Sequence, residues 1–282
     1  MGFVARNDMK IKLNAIVFDR YTCERSEGSK ASPLIAIYEG LERRGGFNLM
    51  WFDPSAFDPE KKELPYLPIK SEKQTPKMFE PNVIFTFGFN FFNVQEYYSE
   101  PGHRADIITV DFGFLKRDMG YRYVVKNNTL PKTTNNARFR QLGLSIEDKR
   151  KPDGYILVAE QNHHKEWYSK AMMFVSEHTN KPIKIRQPSD KIPLEDDIAA
   201  ASALVTYNST CLYQALLNRV PVFCSEECIA AEVAETDLTK IDSVELPTPQ
   251  KVQHFLNRLS YAQWRIDELK IGIWIPHYFE GY

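Results

Sequence analysis

The sequence predicts an α/β protein built from two Rossmann-like domains that face each other across a cleft. Two observations lead to this prediction. Short apolar strands alternate with amphipathic helices twice along the 282 residues, and a polar, charged stretch at residues 127–153 separates the two runs. The predicted domains therefore cover residues 1–145 and 146–282, and the last helix can pack back on the first domain.

The first domain opens with a strand, a helix and a second strand. Lys12–Phe18 (KLNAIVF) is an apolar run typical of a strand, and Phe47–Phe52 is another. Pro33–Arg44 between them has helical periodicity, with Ser32 as its cap. Further strands are predicted at Asn82–Phe87 and Asp106–Asp111. This order is that of a doubly wound sheet.

The second domain repeats the alternation of strands and helices. Its apolar strands are predicted at Gly154–Ala159, Pro182–Arg186, Leu204–Thr206 and Pro221–Cys224. Helical periodicity is found at Lys165–Thr179, Pro193–Ala201 and Ser209–Asn218, followed by one long helix at Gln250–Lys270.

Charge and cysteine content exclude several classes of protein. The 36 basic and 37 acidic residues leave a net charge of −1, so no global field draws the protein to nucleic acid or anionic lipid. The four cysteines have no zinc-ligand spacing, which indicates reduced thiols and a cytoplasmic location. The start of the chain has no signal-peptide core, and no apolar run approaches the ~20 residues of a membrane span. Oligomeric state is not set by any of these features.

Polar residues follow every predicted strand of the second domain. Gln161 follows the first strand, Arg186 ends the second, Tyr207–Thr210 follows the third and Glu226 follows the fourth. Because the carboxyl ends of parallel strands meet at one edge of a sheet, we expect these side chains to lie near a ligand.

The tip Tyr207-Asn208-Ser209-Thr210 has two interpretations. It is an ordinary turn in which Asn208 or Ser209 caps the following helix, or it is a phosphate site formed by the first helix amides with the Ser209 and Thr210 hydroxyls. Arg186 is likewise either a forked donor to a diphosphate or one half of a surface salt bridge.

The same residues carry a family resemblance. ALVTYNSTCLYQALLNRVPVFC, at residues 203–224, resembles the donor-binding segment of GT-B fold glycosyltransferases, in particular the capsule-type and bacteriophage-encoded sugar transferases. In that family an Asn-Ser pair opens a helix and a glycine precedes a Pro-Val strand; here Arg219 replaces the glycine. GYILVAEQNHH and NKPIKIRQPSD also match, with Gln187 where many members carry histidine. LSYAQWRIDELKIGIWIP resembles the ending of these transferases, and GSKASPLIAIYEGLERRGGFNLMWF matches more loosely.

The resemblance implies a nucleotide-sugar donor, with a UDP-sugar as the main prediction. The implied donor-binding residues lie in the second domain, and they are Gln161, Arg186, Tyr207, Asn208, Ser209, Thr210 and Glu226. The first domain would bind the acceptor, with Gly28, Ser29 and Arg117 in loops near the acceptor or the phosphates. In such enzymes helix ends and basic side chains neutralise the leaving phosphate, so no metal and no further cofactor is predicted.

Transfer to a hydroxyl with inversion needs a general base. Asp111 ends the predicted strand DIITVD and is the leading candidate, although a carboxylate there can simply cap the loop. His103 is a second candidate, or a surface histidine. Asp196-Asp197 at a helix start is interpreted as a first-turn charge pair rather than a metal site.

Four functions are compatible with the sequence. The first is transfer to DNA, for example to a 5-hydroxymethyl pyrimidine of a phage, which needs a basic groove. A candidate stripe for that groove consists of Lys116, Arg117, Arg122, Lys126, Lys132, Arg138 and Arg140. The second is transfer to a polysaccharide or a lipid-linked glycan. The others are a non-enzymatic nucleotide-binding interaction module and a sugar-nucleotide epimerase.

Overall fold

The computed structural model describes residues 13–18, 33–52, 82–87, 105–115, 119–133, 135–161 and 164–279. The chain divides into two compact units, each with its own α/β sheet. Unit 1 consists of Met1–Pro131 together with Ala262–Tyr282, and unit 2 consists of Lys132–Tyr261. The predicted α/β class with two sheets is confirmed.

Unit 1 contains a six-stranded sheet. Its strands are β1 (Leu13–Phe18), β2 (Phe47–Phe52), β3 (Val83–Phe87), β4 (Asp106–Phe112), β5 (Tyr121–Lys126) and β10 (Gln263–Arg265), and its helices are α1 (Pro33–Arg44) and α7 (Ile266–Ile271). The strand order is β10-β5-β4-β3-β1-β2. Strands β1 to β4 are parallel, whereas β5 is antiparallel to β4 and β10 is antiparallel to β5.

The C-terminal segment departs from the prediction of one long helix over Gln250–Lys270. The helix ends at Ser260, and Gln263–Arg265 pairs with Tyr121–Tyr123 as an edge strand. Gln263 is fully buried and Trp264 is 2% exposed. A continuous helix would forgo this pairing, so burial of these two side chains in the sheet overrides the local helical pattern.

A tryptophan near the chain end completes the core of unit 1. Trp274 is fully buried, and its indole Nε1 donates a hydrogen bond to the carbonyl of Leu269 at 3.1 Å. Its ring meets the edge of Phe85, with centroids 5.9 Å apart. The Tyr278 hydroxyl donates to the Val124 carbonyl at 2.6 Å. The C-terminal residues therefore anchor on strands β3 and β5.

Helices α1 and α7 approach each other at a glycine. A Cβ atom added to Gly40 would lie 2.1 Å from the carbonyl oxygen of Leu269. We expect Gly40→Ala to lower the free energy of unfolding by about 1–3 kcal/mol, because the obstructing atom belongs to the backbone and cannot swing aside. Urea unfolding measures this change.

The sign of the Gly40→Ala effect is informative, because alanine is favoured over glycine in a helix by about 1 kcal/mol. A protein in which the two helices did not touch at this point would be stabilised by the substitution. Glu42→Ala, on the exposed surface of α1, is the matched control and should stay within about 0.5 kcal/mol of the wild type.

Unit 2 contains a four-stranded sheet, and all of its strands are parallel. The strands are β6 (Tyr155–Ala159), β7 (Ile183–Arg186), β8 (Ala201–Val205) and β9 (Val222–Phe223), and the helices are α2 (Ala137–Gln141), α3 (Lys165–His178), α4 (Leu194–Ala200), α5 (Cys211–Leu217) and α6 (Pro249–Ser260). The strand order is β7-β6-β8-β9. Tyr168 and Val175 of α3 pack against Ile156, Val158 and Val205 of the sheet.

None of the helices in the described part of the chain has the length and apolarity that crossing a membrane requires.

Candidate functional site

In the sheet of unit 2, the connections that follow β6 and β8 run in opposite directions across the sheet. From β6 the chain passes to β7 on one side, and it later returns to β8 on the other side of β6. The carboxyl ends of β6 and β8 therefore flank a topological switch point. In open α/β sheets, ligands bind in the crevice outside the strand ends at such a point.

Two of the predicted residues meet at this switch point. Gln161 follows β6, and its side-chain Oε1 accepts a hydrogen bond from the backbone N–H of Asn208, beyond β8, at 3.3 Å. The Tyr168 hydroxyl lies 3.2 Å from the same Oε1 and accepts a bond from the Tyr207 N–H at 3.1 Å. It is also 2.9 Å from the Ala159 carbonyl. This hydroxyl therefore ties the two strand ends together.

The helix after Thr206 starts later than predicted. The helix begins at Cys211, with Thr210 flanking it, and Thr210 makes no side-chain cap hydrogen bond. The nearest approach to a cap is the contact of the Cys211 N–H with Ser209 Oγ at 3.5 Å, which is at the limit of a hydrogen bond. Asn208 forms no cap at this end of the helix. The Ser209 and Thr210 hydroxyls are thus only weakly used by the helix itself.

Arg186 takes part in an ion-pair cluster. Its guanidinium donates to the carboxylate of Asp197 and, at 2.8 Å, to the carbonyl of Ile192. Lys184 Nζ contacts the other oxygen of Asp197 at 2.5 Å, and the Tyr155 hydroxyl lies 3.2 Å from that oxygen. One carboxylate thus faces two cations, which leaves an excess of positive charge.

Asp197 is the functional group of this cluster that sequence reasoning missed. It lies in the first turn of α4, as predicted for Asp196-Asp197, but its side chain is 3% exposed and is enclosed by the ion-pair cluster. Burial alone would raise the pKa of Asp197, but the hydrogen bonds from Lys184, Arg186 and Tyr155 outweigh it and hold that pKa below its ordinary value. The alternation of Lys184 and Arg186 on one face of β7 is the sequence signal that could have indicated a buried acid.

Arg186 also acts on the start of α5. Burial raises the pKa of the Cys211 thiol to about 11, and a hydrogen bond from Ser209 and then the charge of Arg186 partly oppose that rise. Gln214 of α5 donates a hydrogen bond to Glu195 of α4 at 3.0 Å, so α5 lies beside the helix whose Asp197 binds Arg186.

The loop after β9 contributes an acid next to the one predicted. Glu226 is exposed, whereas the carboxylate of its neighbour Glu227 accepts a hydrogen bond from the Tyr207 hydroxyl at 2.5 Å. Burial raises the pKa of Tyr207, and the bond to Glu227 raises it further, so the phenol stays protonated and donates. The ring of His164 is stacked on that of Tyr207.

The predicted catalytic and acceptor residues belong to unit 1. Asp111 is half-buried at the end of β4, and its Oδ1 accepts a hydrogen bond from the Phe112 N–H at 2.6 Å. Beyond it, Gln263 Oε1 accepts from the N–H groups of Phe114 and Leu115 at 2.8 and 3.2 Å. The remaining predicted residues, His103, Gly28, Ser29 and Arg117, lie outside the described residues.

Several side chains of the candidate basic stripe are buried or already in contact with other groups of the protein. Lys126 forms an ion pair with Asp106 at 2.6 Å, Arg138 is 5% exposed, and Arg122 lies over the ring of Phe112. Lys116 and Arg117 fall outside the described residues. These side chains thus differ from the fully solvated row that a phosphate backbone would require.

Two cavities of about 200 Å³ occur elsewhere in unit 2. One lies at the amino end of β9, between Arg219, Glu235 and Lys251, and the other lies along α5 at Gln214 and Asn218. Neither is lined by the switch-point residues Gln161, Tyr207 and Asn208. Within the described residues no group of three His, Cys, Asp or Glu side chains is arranged to hold a metal ion.

Two solved structures resemble the fold weakly. Thermosulfurimonas dismutans KpsC, beta Kdo 2,4 transferase, has a TM-score of 0.47 at 10% identity, over 86% of this chain and 89% of that one. Thermosulfurimonas dismutans KpsC, beta Kdo 2,7 transferase, has a TM-score of 0.42 at 13% identity, over 63% and 75% of the two chains. No protein-family model and no curated protein matches the sequence. Similarity at this level carries no argument about donor or acceptor.

Proposed function

We propose that this protein is a glycosyltransferase that binds a nucleotide-sugar donor at the carboxyl edge of the unit 2 sheet. The observation that carries the proposal is the meeting of Gln161, Tyr207 and Asn208 at the switch point between β6 and β8. Doubly wound sheets bind nucleotides at this position. The resemblance of residues 203–224 to the donor-binding segment of sugar transferases supports a nucleotide-sugar over other ligands of such sheets.

The distribution of charge supports a phosphate at the Arg186 end of the site. Lys184 and Arg186 together carry one more charge than Asp197 neutralises. The hydroxyls of Ser209 and Thr210, which contribute little to capping α5, remain able to donate to phosphate oxygens. In the proposed reaction these groups offset the charge that develops on the leaving nucleotide, and the reaction needs no bound metal.

The proposed reaction is a balanced group transfer. The bond between the anomeric carbon and the phosphate oxygen breaks, and its electron pair leaves with the nucleotide. A hydroxyl oxygen of the acceptor bonds to that carbon, and its proton passes to a base. Asp111, at the carboxyl end of β4, is the proposed base, with His103 as the second candidate.

For the acceptor, we favour a glycan hydroxyl over DNA. The basic residues that would line a DNA groove include Lys126, which pairs with Asp106, and Arg138, which is buried. Both are poorly placed to neutralise phosphates, the interaction that dominates affinity for DNA. The experiment below also includes hydroxymethylated DNA as an acceptor and UDP-sugars as donors.

The test is a thermal-shift panel of UDP-, GDP-, CMP- and dTDP-sugars. The correct donor at 100 times its Kd should stabilise the protein by about 2.7 kcal/mol and raise Tm by several degrees. Gln161→Ala, which removes the side-chain oxygen that accepts the Asn208 N–H, should reduce that shift, whereas Ser243→Ala, an exposed serine outside the site, should leave it unchanged. A donor identified in this way is then offered to polysaccharide, lipid-linked glycan and hydroxymethylated DNA.

Absence of any shift at millimolar nucleotide would favour the non-enzymatic alternative. Conversion of the donor to an isomeric nucleotide-sugar without an acceptor would instead indicate an epimerase.

A further inference from the structure

Four aromatic rings lie together at the switch point. The ring of His164 is stacked on that of Tyr207, with centroids 3.7 Å apart and planes inclined by 12°. Trp167 presents an edge to Tyr207 at 5.5 Å and to Tyr168 at 5.1 Å. We call His164, Trp167 and Tyr207 the aromatic platform.

Contacts with neighbouring side chains fix the position of Tyr207 in the aromatic platform. Tyr168, which is 3% exposed, fixes the backbone of Tyr207 by accepting its N–H. The Tyr207 hydroxyl is fixed by Glu227, and Trp167 closes the edge of the Tyr207 ring. The Tyr207 ring is therefore oriented before any ligand arrives, which reduces the entropic cost of binding to it.

The exposed member of the platform is His164. It adopts a left-handed backbone conformation, with φ of 62° and ψ of 34°, which is uncommon for a residue with a side chain. Among the described residues, no hydrogen bond fixes its ring nitrogens. The stack therefore ends in an aromatic ring at the protein surface that can accept a further flat ring.

The charges around the platform distinguish its two ends. The carboxylate of Glu227 contacts the Tyr207 hydroxyl, so on this side it would repel a phosphate and can accept hydrogen bonds from the N–H groups of a base. Arg186 is paired with Asp197 of α4, and Glu195 of the same helix accepts a hydrogen bond from Gln214 of α5, so this cation lies toward α5, where it would attract a phosphate. A nucleotide has one flat, hydrogen-bonding end and one anionic end, so it fits this polarity in a single orientation.

We propose that the aromatic platform is the binding surface for the base of a nucleotide, with its phosphates directed toward Arg186. This proposal rests on the nucleotide-sugar function proposed above and adds the position and orientation of the base. Base stacking on an aromatic ring contributes enough that loss of the ring weakens binding about 10-fold or more.

The experiment measures binding of UMP, CMP, GMP and AMP to the full chain by calorimetry, with ribose 5-phosphate as the ligand that lacks a base. Tyr207→Leu removes the ring that supports His164 and should weaken the tightest nucleotide about 10-fold or more. Tyr207→Phe keeps that ring and should bind within a few fold of the wild type. Ribose 5-phosphate should bind equally to all three proteins. Phe174→Leu, an exposed aromatic on α3 outside the platform, is the matched control.

Fluorescence of Trp167 gives a second measurement, because a base stacked beside this indole should quench it. His164→Ala should weaken the same nucleotide and reduce the quenching. Nucleotide binding that is unchanged in both Tyr207→Leu and His164→Ala would overturn the platform while leaving the donor site intact. Failure of the wild type to bind any nucleotide would overturn the proposed function itself. If Tyr207→Leu weakened ribose 5-phosphate as much as the nucleotide, the platform would bind the sugar rather than the base.

Discussion

Replacing Asp197 by alanine is expected to lower the free energy of unfolding by about 3–5 kcal/mol, because it leaves two cations without their buried counter-charge. The carboxylate is 3% exposed and is contacted by Lys184, Arg186 and the Tyr155 hydroxyl. Without it, Arg186 at 14% side-chain exposure keeps a charge that water reaches only in part. The largest local change should be loss of order at the carboxyl end of β7.

Unfolding of unit 2 can be followed by the part of the tryptophan fluorescence that Trp167→Phe removes, because Trp167 is the one tryptophan in residues 132–261 of the sequence, and Trp51, Trp264 and Trp274 belong to unit 1. The matched control is Asp196→Ala, which removes the adjacent carboxylate from an exposed position and should change stability by no more than about 0.5 kcal/mol. Equal, small effects of the two substitutions would show that the Asp197 cluster contributes little to stability.

The free energy of unfolding at acid pH should also depend on Asp197. The folded pKa of Asp197 lies below its unfolded value of about 3.9, so its contribution is fully present above that value. It disappears as the pH falls through the lower, folded pKa. Asp197→Asn should remove this component, and its stability should therefore fall less steeply than that of the wild type below about pH 4.

Replacing Trp274 by alanine is expected to lower the free energy of unfolding of unit 1 by about 3–5 kcal/mol. The side chain is fully buried against Phe85 and donates a hydrogen bond to the Leu269 carbonyl. The substitution removes both the ring and the hydrogen-bond donor, and it leaves a cavity in the core. Trp274→Phe keeps most of the volume and should lose less.

Hydrogen exchange of peptides from α1 and β3 measures the loss locally. Ile273→Ala is the matched control, because this neighbouring side chain is 44% exposed and its removal should cost no more than about 0.5 kcal/mol. A loss below about 1 kcal/mol for Trp274→Ala would contradict a closely packed site for this ring.

The regular elements were predictable from local pattern where the pattern is long. The strand at Leu13–Phe18 and the helix at Pro33–Arg44 match the apolar runs and periodicity that predicted them. The strand at Gln263–Arg265 was not predictable, because three residues give no measurable period. Its structure is decided by pairing with Tyr121–Tyr123, which are far away in the sequence.

In the candidate site, too, some residues were predictable from the local sequence and others were not. Gln161 and Tyr207 were found from sequence because they directly follow apolar strands, and position after a strand is a local property. The role of Asp197 depends on Lys184 and Arg186, which belong to another element, and Glu227 rather than Glu226 contacts Tyr207 because of the course of a loop. Such choices follow from tertiary geometry, which one sequence does not specify.

Arg219 has a backbone conformation that normally favours glycine. Arg219 follows α5 with φ of 59°, in the left-handed region that favours glycine. The N–H of Val220 donates to the Ala215 carbonyl at 2.9 Å and that of Arg219 to the Leu216 carbonyl at 3.2 Å, which is the Schellman arrangement. Its guanidinium donates to the Pro247 carbonyl at 2.7 Å and so holds the segment before α6.

The return of Ala262–Tyr282 to the first sheet has a consequence during translation. Residues 132–261 emerge from the ribosome as one uninterrupted piece and can fold at once. The residues of unit 1 that precede this piece must wait for their edge strand and for Trp274, which are synthesised after it. Unit 2 should therefore finish folding before unit 1, although synthesis of unit 1 begins first, which reverses the usual order.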